Sequence, residues 1–194
     1  MCGRYYIDDE MVNEIEKIVR QVNDKLHHKG DVYPTNTIPV IHGSKESQSV
    51  ELSNMTWGFP KFNEKGVIIN ARCETVKEKR TFRDSVRQRR CIIPASGFYE
   101  WDKEKNKVRF ERRDSSILYM AGVWKSYEDA KRFVILTTQA NESVREVHER
   151  MPLLLEKNEL ENWILESDFF DFILLKKLPQ LKQIREYEQS KLSF

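Results

Sequence analysis

Apolar residues near the start of the chain recur first at the spacing of a strand and then at the spacing of a helix. Residues 3–7 (GRYYI) predict a short strand. Asp8 or Asp9 can then cap a helix over roughly 9–28, since a short polar side chain satisfies free N–H groups at a helix start. Apolar residues at helical spacing in this segment are Met11, Ile15, Ile18, Val19, Val22 and Leu26.

The middle of the chain is dominated by short apolar runs that predict strands. Residues 31–42 contain two prolines and predict a loop that enters a strand. Residues 91–101 (CIIPASGFYEW) predict two strands separated by a Pro-Ala-Ser-Gly turn. Further strands are predicted over 49–58, 66–72, 107–112, 117–124 and 132–138.

Polar residues at capping positions predict a helix in the basic segment. Residues 75–90 predict a helix in one or two pieces, because Thr75 with Glu78 and Thr81 with Asp84 both have capping-box spacing.

Asn141 can cap a short helix to about residue 149, which ends near Pro152. Residues 156–175 predict another helix, and residues 181–188 a final strand or helix. Strand-rich segments with interspersed helices and no βαβ rhythm predict an α+β fold on a mostly antiparallel sheet.

Composition narrows the functional classes. A chain of 194 residues, 39% hydrophobic and 33% charged, is long enough to bury a sizeable core. Its net charge of +2 identifies no partner, and it lacks the run of about 18 apolar residues that a membrane helix needs. No apolar segment typical of a secretory signal occurs at the start. Three irregularly spaced cysteines favour reduced thiols, so we expect a cytoplasmic protein.

The most specific chemical feature is a cysteine directly after the first methionine, in MCGR. If Met1 is removed, Cys2 carries an amine and a thiol on adjacent carbons. The amine condenses with an aldehyde to an imine, and the thiol closes on the imine carbon to give a thiazolidine. A second-residue cysteine also occurs by chance, and this alternative stays open on the sequence alone.

Three further residues are candidates for polar chemistry. Asn70 follows a short apolar run, where its amide can orient an amine or simply form a turn. Glu100 shares a strand face with Phe98, which predicts desolvation and a raised carboxyl pKa unless an arginine pairs with it. His148 lies near the end of a predicted helix, as a functional group or as an ordinary surface histidine.

Positive charge is concentrated over residues 72–90, which contain eight Lys or Arg residues and only three acidic residues. If this segment is helical, one face carries Arg80, Arg83, Arg87 and Arg90, at a spacing suited to a phosphate backbone. A solvated helix face is the alternative. Neither the cysteines nor His148 have zinc-ligand spacing, and no phosphate-binding glycine motif occurs, so we expect no metal and no cofactor.

The order of these motifs resembles the SRAP family, the SOS-response-associated peptidases, also called abasic-site-processing proteins. The resemblance spans residues 2 to about 155. It rests on MCGR, WGF (57–59), NARCET (70–75), CIIPASGFYEW (91–101) and HERMP (148–152). The loop GDVYPT departs from the family pattern, with Asp31 where Asn is common and Tyr33 where Ala is common.

The resemblance implies one domain over residues 1–194, an α+β fold with a mixed, mostly antiparallel curved sheet, like an open barrel, flanked by helices. It implies recognition of abasic sites in single-stranded DNA and a thiazolidine crosslink through Cys2. Asn70, Glu100 and His148 match the other catalytic positions. We assign DNA binding to the family positions Thr35, Trp57, Arg72 and Arg80, together with Arg4 of the first motif and Arg83 of the basic segment.

In the mechanism that this implies, Glu100 opens the closed sugar and shuttles protons, Asn70 holds the amine, and His148 binds a hydroxyl or the departing phosphate. If the thiol does not close, the imine can lead to β-elimination, a lyase reaction. A cysteine-type peptidase acting on itself or other peptides is the main alternative. A single-strand-binding module with an incidental Cys2, and a DNA-independent structural protein, also remain open. The sequence does not reveal the oligomeric state.

Overall fold

The computed structural model describes residues 2–18, 29–43, 50–128, 130–166 and 168–185. The strands are β1 (Arg4–Ile7), β2 (Gly30–Val32), β3 (Thr37–Gly43), β4 (Val50–Trp57), β5 (Phe59–Pro60), β6 (Val67–Ile68), β7 (Asn70–Arg72), β8 (Arg90–Ala95), β9 (Gly97–Trp101), β10 (Lys107–Arg112), β11 (Leu118–Ser126), β12 (Lys131–Gln139), β13 (Arg150–Pro152), β14 (Leu154–Leu155) and β15 (Leu181–Arg185). The helices are α1 (Asp9–Ile18), α2 (Arg83–Gln88), α3 (Glu142–Arg145), α4 (Leu160–Leu165) and α5 (Phe169–Leu175).

Two large sheets organise the chain. The first is antiparallel, in the order β15-β10-β9-β1-β2. In the second, β12 pairs with β4, β4 with β3, β3 with β8, β8 with β11, and β11 with β12 again, so these five strands form a closed ring. The β4–β12 pair is parallel and the other four are antiparallel. The mixed, mostly antiparallel curved sheet is therefore confirmed, with its barrel closed in the described residues.

A continuous apolar core joins the two sheets. Tyr5 of β1 packs against Trp57 of β4 with ring centroids 5.2 Å apart. Phe98 and Phe110 stack at 5.1 Å on the inner face of the first sheet. All four side chains are at least 99% buried. This packing brings the start of the chain, which precedes β1, against the rim of the barrel.

The predicted helix over 75–90 is largely wrong. Only Arg83–Gln88 is helical, it begins at Phe82 without a side-chain cap, and residues 73–82 form mainly turns. Arg90 belongs to strand β8 and is buried. The four arginines therefore do not line one helix face, because the apolar run after Arg90 enters the barrel as a strand.

The other helical predictions hold in part. Asp8 caps α1 by accepting from the N–H of Met11 at 3.0 Å, and residues 19–28 of that prediction lie outside the described part of the chain. Asn141 caps α3 through the N–H of Ser143 at 3.1 Å, although the helix ends at Arg145.

The two C-terminal predictions differ in outcome. The helix predicted over 156–175 consists of a 3-10 turn (Lys157–Glu159), α4 and α5. The final segment is a strand, because β15 pairs with β10. No helix among the described residues is long and apolar enough to cross a membrane.

Candidate active site

Cys2 lies immediately before β1 and is fully buried. Its Sγ is 3.9 Å from the carbonyl oxygen of Arg4. Burial raises the pKa of the Cys2 thiol well above its ordinary value, and the negative charge of Glu100 adds to the effect. The sulfur is therefore protonated near neutral pH. All three cysteines of the chain are free and buried, and burial raises the pKa of Cys73 to about 12.

Asn70 is held against the main chain of Cys2 by the sheet. It begins β7, which runs parallel to β12 with Asn70 opposite Ile135. The amide nitrogen of Asn70 donates to the carbonyl oxygen of Cys2 at 2.9 Å. The amide oxygen is buried and accepts no hydrogen bond from the described residues. An amide with an unused acceptor beside Cys2 can receive an N–H from the amine at that residue.

Glu100 confirms the predicted alternation of β9. Its side chain shares the inner face with Phe98 and only 3% of it is exposed. Burial is the largest cause of its raised pKa, which the positive charge of the amino terminus and the charged form of the His148 ring partly oppose. Because Glu100 interacts electrostatically with both Cys2 and His148, the structure brings these three residues together. A raised pKa favours the protonated carboxyl, which can donate a proton.

His148 follows α3 and is oriented by the main chain of its own motif. Its Nδ1 accepts from the N–H of Arg150 at 2.9 Å. The same Nδ1 is also 3.2 Å from the carbonyl oxygen of Arg150. A backbone N–H only donates, so in the neutral ring that accepts this shorter bond Nε2 carries the proton. The side chain is half-buried. His148 therefore presents its Nε2 as a donor at the edge of the site.

The sequence reasoning missed an ion pair that supports this site. The guanidinium of Arg150 donates to both carboxylate oxygens of Glu74, at 2.7 and 2.8 Å, and to the carbonyl oxygen of Thr137 at 2.6 Å. The pair ties the turn after Asn70 to the strand after His148. Arg150 is 8% exposed. The motifs NARCET and HERMP both contain these partners, but only the fold makes them neighbours.

Arg4 lies in a stack of rings on the outer face of the first sheet. Its guanidinium carbon is 4.6 Å from the ring centroid of Tyr33 and 5.1 Å from that of Trp101. A nitrogen of the same group is 3.6 Å from the Asp31 carboxylate. Arg4 is thus held by two rings and a carboxylate, two residues after Cys2.

Thr35 and Trp57 differ in what they offer to a ligand. Thr35 is exposed, adopts φ = 77°, and donates its N–H to the carbonyl oxygen of Trp57 at 2.8 Å. A threonine in this left-handed region is strained, as residues at functional sites often are. Trp57 is fully buried and donates its indole N–H to the carbonyl oxygen of Ile69 at 3.0 Å. The buried Trp57 therefore offers no exposed ring face, and its hydrogen bonds connect Thr35 with Ile69, the residue before Asn70.

The basic residues separate into exposed and buried groups. Arg72, Arg80 and Arg83 are exposed. Arg72 lies two residues after Asn70 and so beside the site, and Arg83 is 3.5 Å from Asp84. Arg90, by contrast, donates to the carbonyl oxygens of Trp163 and Glu166 and holds α4 onto the barrel. Among the described residues, no group of three His, Cys, Asp or Glu is arranged to hold a metal ion.

Comparison with known proteins gives one consistent family. The model of the family "SOS response associated peptidase (SRAP)" matches residues 1–190. The abasic site processing protein YoqW of Bacillus subtilis is 29% identical over 186 residues, covering 84% of this chain and 80% of YoqW. The abasic site processing protein YedK of Escherichia coli is 26% identical over 178 residues, covering 84% of this chain and 79% of YedK.

Solved structures share the same fold. A protein of Bacteroides thetaiotaomicron superposes with a TM-score of 0.80 at 22% identity, over 96% of this chain and 93% of that one. A protein of Bordetella bronchiseptica gives a TM-score of 0.77 at 23% identity, over 96% and 100% of the two chains.

Proposed function

Because the chain belongs to the SOS response associated peptidase (SRAP) family, we propose that it recognises abasic sites in single-stranded DNA and crosslinks to them through Cys2. The observation that carries the proposal is that Asn70 contacts Cys2, and that Glu100 interacts with both Cys2 and His148. Relatives described as abasic site processing proteins match most of the chain. The stable adduct shields the lesion from other reactions.

The reaction begins with removal of Met1, which converts the nitrogen of Cys2 from an amide into an amine. An α-amino group titrates near pH 8, so part of it is neutral and nucleophilic near pH 7. The abasic sugar reacts only as its open aldehyde. Glu100, protonated to higher pH than an ordinary glutamate, donates a proton to the ring oxygen and takes up the proton of the anomeric hydroxyl as the ring opens, so it is protonated again for the next step.

The next two steps make the ring. The Cys2 nitrogen attacks the aldehyde carbon, a proton from Glu100 converts the hydroxyl into leaving water, and an iminium forms. The protonated sulfur then adds to the iminium carbon, and the carboxylate of Glu100 takes the proton from sulfur. One water is released overall and Glu100 returns to its starting state. A thiol with a raised pKa fits this order, because attack by the amine comes first.

The remaining residues orient the reactants. The amide oxygen of Asn70 accepts from the Cys2 amine and directs its lone pair toward the aldehyde. The Nε2–H of His148 donates to the opened sugar hydroxyl or to the departing phosphate. The exposed Arg72, Arg80 and Arg83 hold phosphates, with Arg4 and Thr35 at the edge of the strand path.

The decisive experiment is intact mass spectrometry of the purified protein with and without an oligonucleotide that carries one abasic site. We expect loss of Met1 and the addition of one strand minus one water at the N-terminal peptide. Retention of Met1 in the reacting protein, or attachment elsewhere, would overturn the proposal.

A Cys2→Ala variant separates the thiol from the amine. It keeps an α-amine, so it can form an imine that borohydride traps, but it cannot close a thiazolidine. We expect an adduct in denaturing gels without reductant from the natural protein only, and non-covalent binding from both. An unreduced, denaturant-resistant adduct of equal yield from Cys2→Ala would contradict the thiazolidine.

Two other activities, a peptidase and a plain single-strand-binding module, can be tested with the same purified protein. A peptidase acting on other peptides needs an accessible thiolate, which the buried thiol and its raised pKa do not favour; release of a reporter peptide without DNA tests it. Self-processing that removes Met1 remains compatible with the site. A plain single-strand-binding module would bind DNA in a salt-dependent way and leave no adduct with either protein.

A further inference from the structure

Tyr33 is a large exposed side chain beside the site, with 42% of its surface accessible. It follows β2 and precedes Pro34 and the strained Thr35. We propose that the ring of Tyr33 is a stacking platform for the base next to the abasic nucleotide, so that this protein binds best where that base is a purine. The inference rests on the function proposed above and adds a preference for sequence context.

The ring is held in place before DNA arrives. The N–H of Tyr33 donates to the side-chain oxygen of Asn36 at 2.9 Å, and the N–H of Asn36 donates to the carbonyl oxygen of Tyr33 at 3.0 Å. The hydroxyl of Tyr33 donates to the Asp31 carboxylate at 3.3 Å. A ring fixed at both ends loses little conformational freedom on binding, which favours affinity.

Tyr33 is also the outer member of a stack. The guanidinium of Arg4 lies between the rings of Tyr33 and Trp101, 4.6 and 5.1 Å from their centroids. Arg4 lies over one face of the Tyr33 ring and 42% of the residue is accessible, so we assign the base to the ring face opposite Arg4. A base placed there would continue the order Trp101, Arg4, Tyr33.

The main chain that carries the stack lies close to the reacting group. Arg4 is two residues from Cys2, and its carbonyl oxygen is 3.9 Å from Sγ. Tyr5, the residue after Arg4, pairs with Val32, the residue before Tyr33. A nucleotide whose sugar reaches Cys2 therefore has its neighbours near Tyr33.

An abasic nucleotide has no base with which to stack. Phosphate contacts from arginines carry no sequence information, and Trp57 is buried. Stacking energy must therefore come from a neighbouring base, on a ring that is exposed. A purine offers a larger π surface than a pyrimidine, so it is favoured on the platform.

The test uses oligonucleotides with a tetrahydrofuran abasic analogue, which has no aldehyde and reports binding alone. 2-Aminopurine is placed on the 5′ or the 3′ side of the analogue. We expect binding to quench its fluorescence on one side, and Tyr33→Ala to remove that quenching and weaken affinity about five- to 150-fold. Tyr33→Phe, which keeps the ring, should retain both.

Phe172→Ala, which removes an exposed aromatic ring on α5, is the matched control and should change neither signal. The inference is wrong if neither position is quenched, if Tyr33→Ala preserves the quenching, or if the natural protein binds equally well when a pyrimidine replaces the purine. A natural abasic oligonucleotide tests the parent proposal separately. Failure of the unaltered protein to crosslink it would refute the proposed function, whereas crosslinking without a response to Tyr33→Ala would refute only the platform.

Discussion

The amide nitrogen of Asn70 donates to the carbonyl oxygen of Cys2 at 2.9 Å across 68 residues of sequence. Strand β7 holds Asn70 against β12, while Cys2 is held by β1 on the other sheet. The contact therefore connects the two sheets at the proposed nucleophile. It also fixes the main chain from which the reactive amine projects.

Replacing Asn70 with Asp should slow crosslinking about fivefold to a hundredfold. The change keeps the shape but puts a carboxylate against a carbonyl oxygen, and a lost buried hydrogen bond is worth roughly 1–3 kcal/mol. The rate is measured on denaturing gels at saturating protein, so that weaker DNA binding does not contribute. Asn54→Asp, at an exposed position of β4, is the control and should react normally. An unchanged rate in Asn70→Asp would contradict the orienting role.

Replacing Glu100 with Gln should change the pH dependence of both crosslinking and stability. Burial raises the pKa of Glu100 above its ordinary 4.5. The crosslinking rate of the natural protein should therefore fall as pH rises through this raised pKa. The Gln variant should be slow throughout and lack this acidic limb.

Glu100→Gln should slow crosslinking but stabilise the folded protein. As pH rises, Glu100 ionises at a lower pH in the unfolded chain than in the folded protein. The natural protein therefore begins to lose stability above the unfolded pKa, and the loss is complete above the folded pKa. The variant should be more stable at neutral pH and equal below about pH 4. Urea unfolding across pH measures this, and equal stability at all pH values would rule out a raised pKa.

Replacing Arg150 with Met should lower the free energy of unfolding by about 1–3 kcal/mol, since it leaves Glu74 and a carbonyl oxygen without their donor. Arg150 holds the pKa of Glu74 below its usual 4.5. The ion pair therefore contributes above that value, and its contribution disappears as pH falls through the folded pKa. Lys61→Ala, at an exposed pair with Glu64, should change stability by less than about 1 kcal/mol. Equal effects of the two variants would contradict the supporting role of Arg150.

Replacing Arg80 with Ala should weaken binding to all single strands alike, because phosphate contacts carry no base information. The slope of log affinity against log salt should decrease by about 0.7, as expected for one lost phosphate contact on a single strand. Lys103→Ala removes one positive charge from an exposed turn and is the control. A slope that changes equally in both variants would indicate general charge rather than a contact at Arg80.

Local sequence patterns correctly predicted features that depend on a single strand or helix start, such as the buried face of β9 and the caps of two helices. The alternation of β9 put Glu100 on the face of Phe98, and its burial and raised pKa followed. Asp8 and Asn141 cap helices as their side chains allow. The segment 75–90 failed because Arg90 and the residues after it gain more by joining the barrel than by extending a helix.

The sequence by itself determined the residue types of the chemistry: a cysteine after Met1, a carboxyl on an apolar strand face, and motifs in the order of one family. Only the tertiary structure decided which of them meet. It joined Asn70 to Cys2, paired Arg150 with Glu74, buried Trp57 and left Tyr33 exposed over Arg4. These contacts depend on strand pairing and packing between residues distant in sequence, which local propensity does not encode.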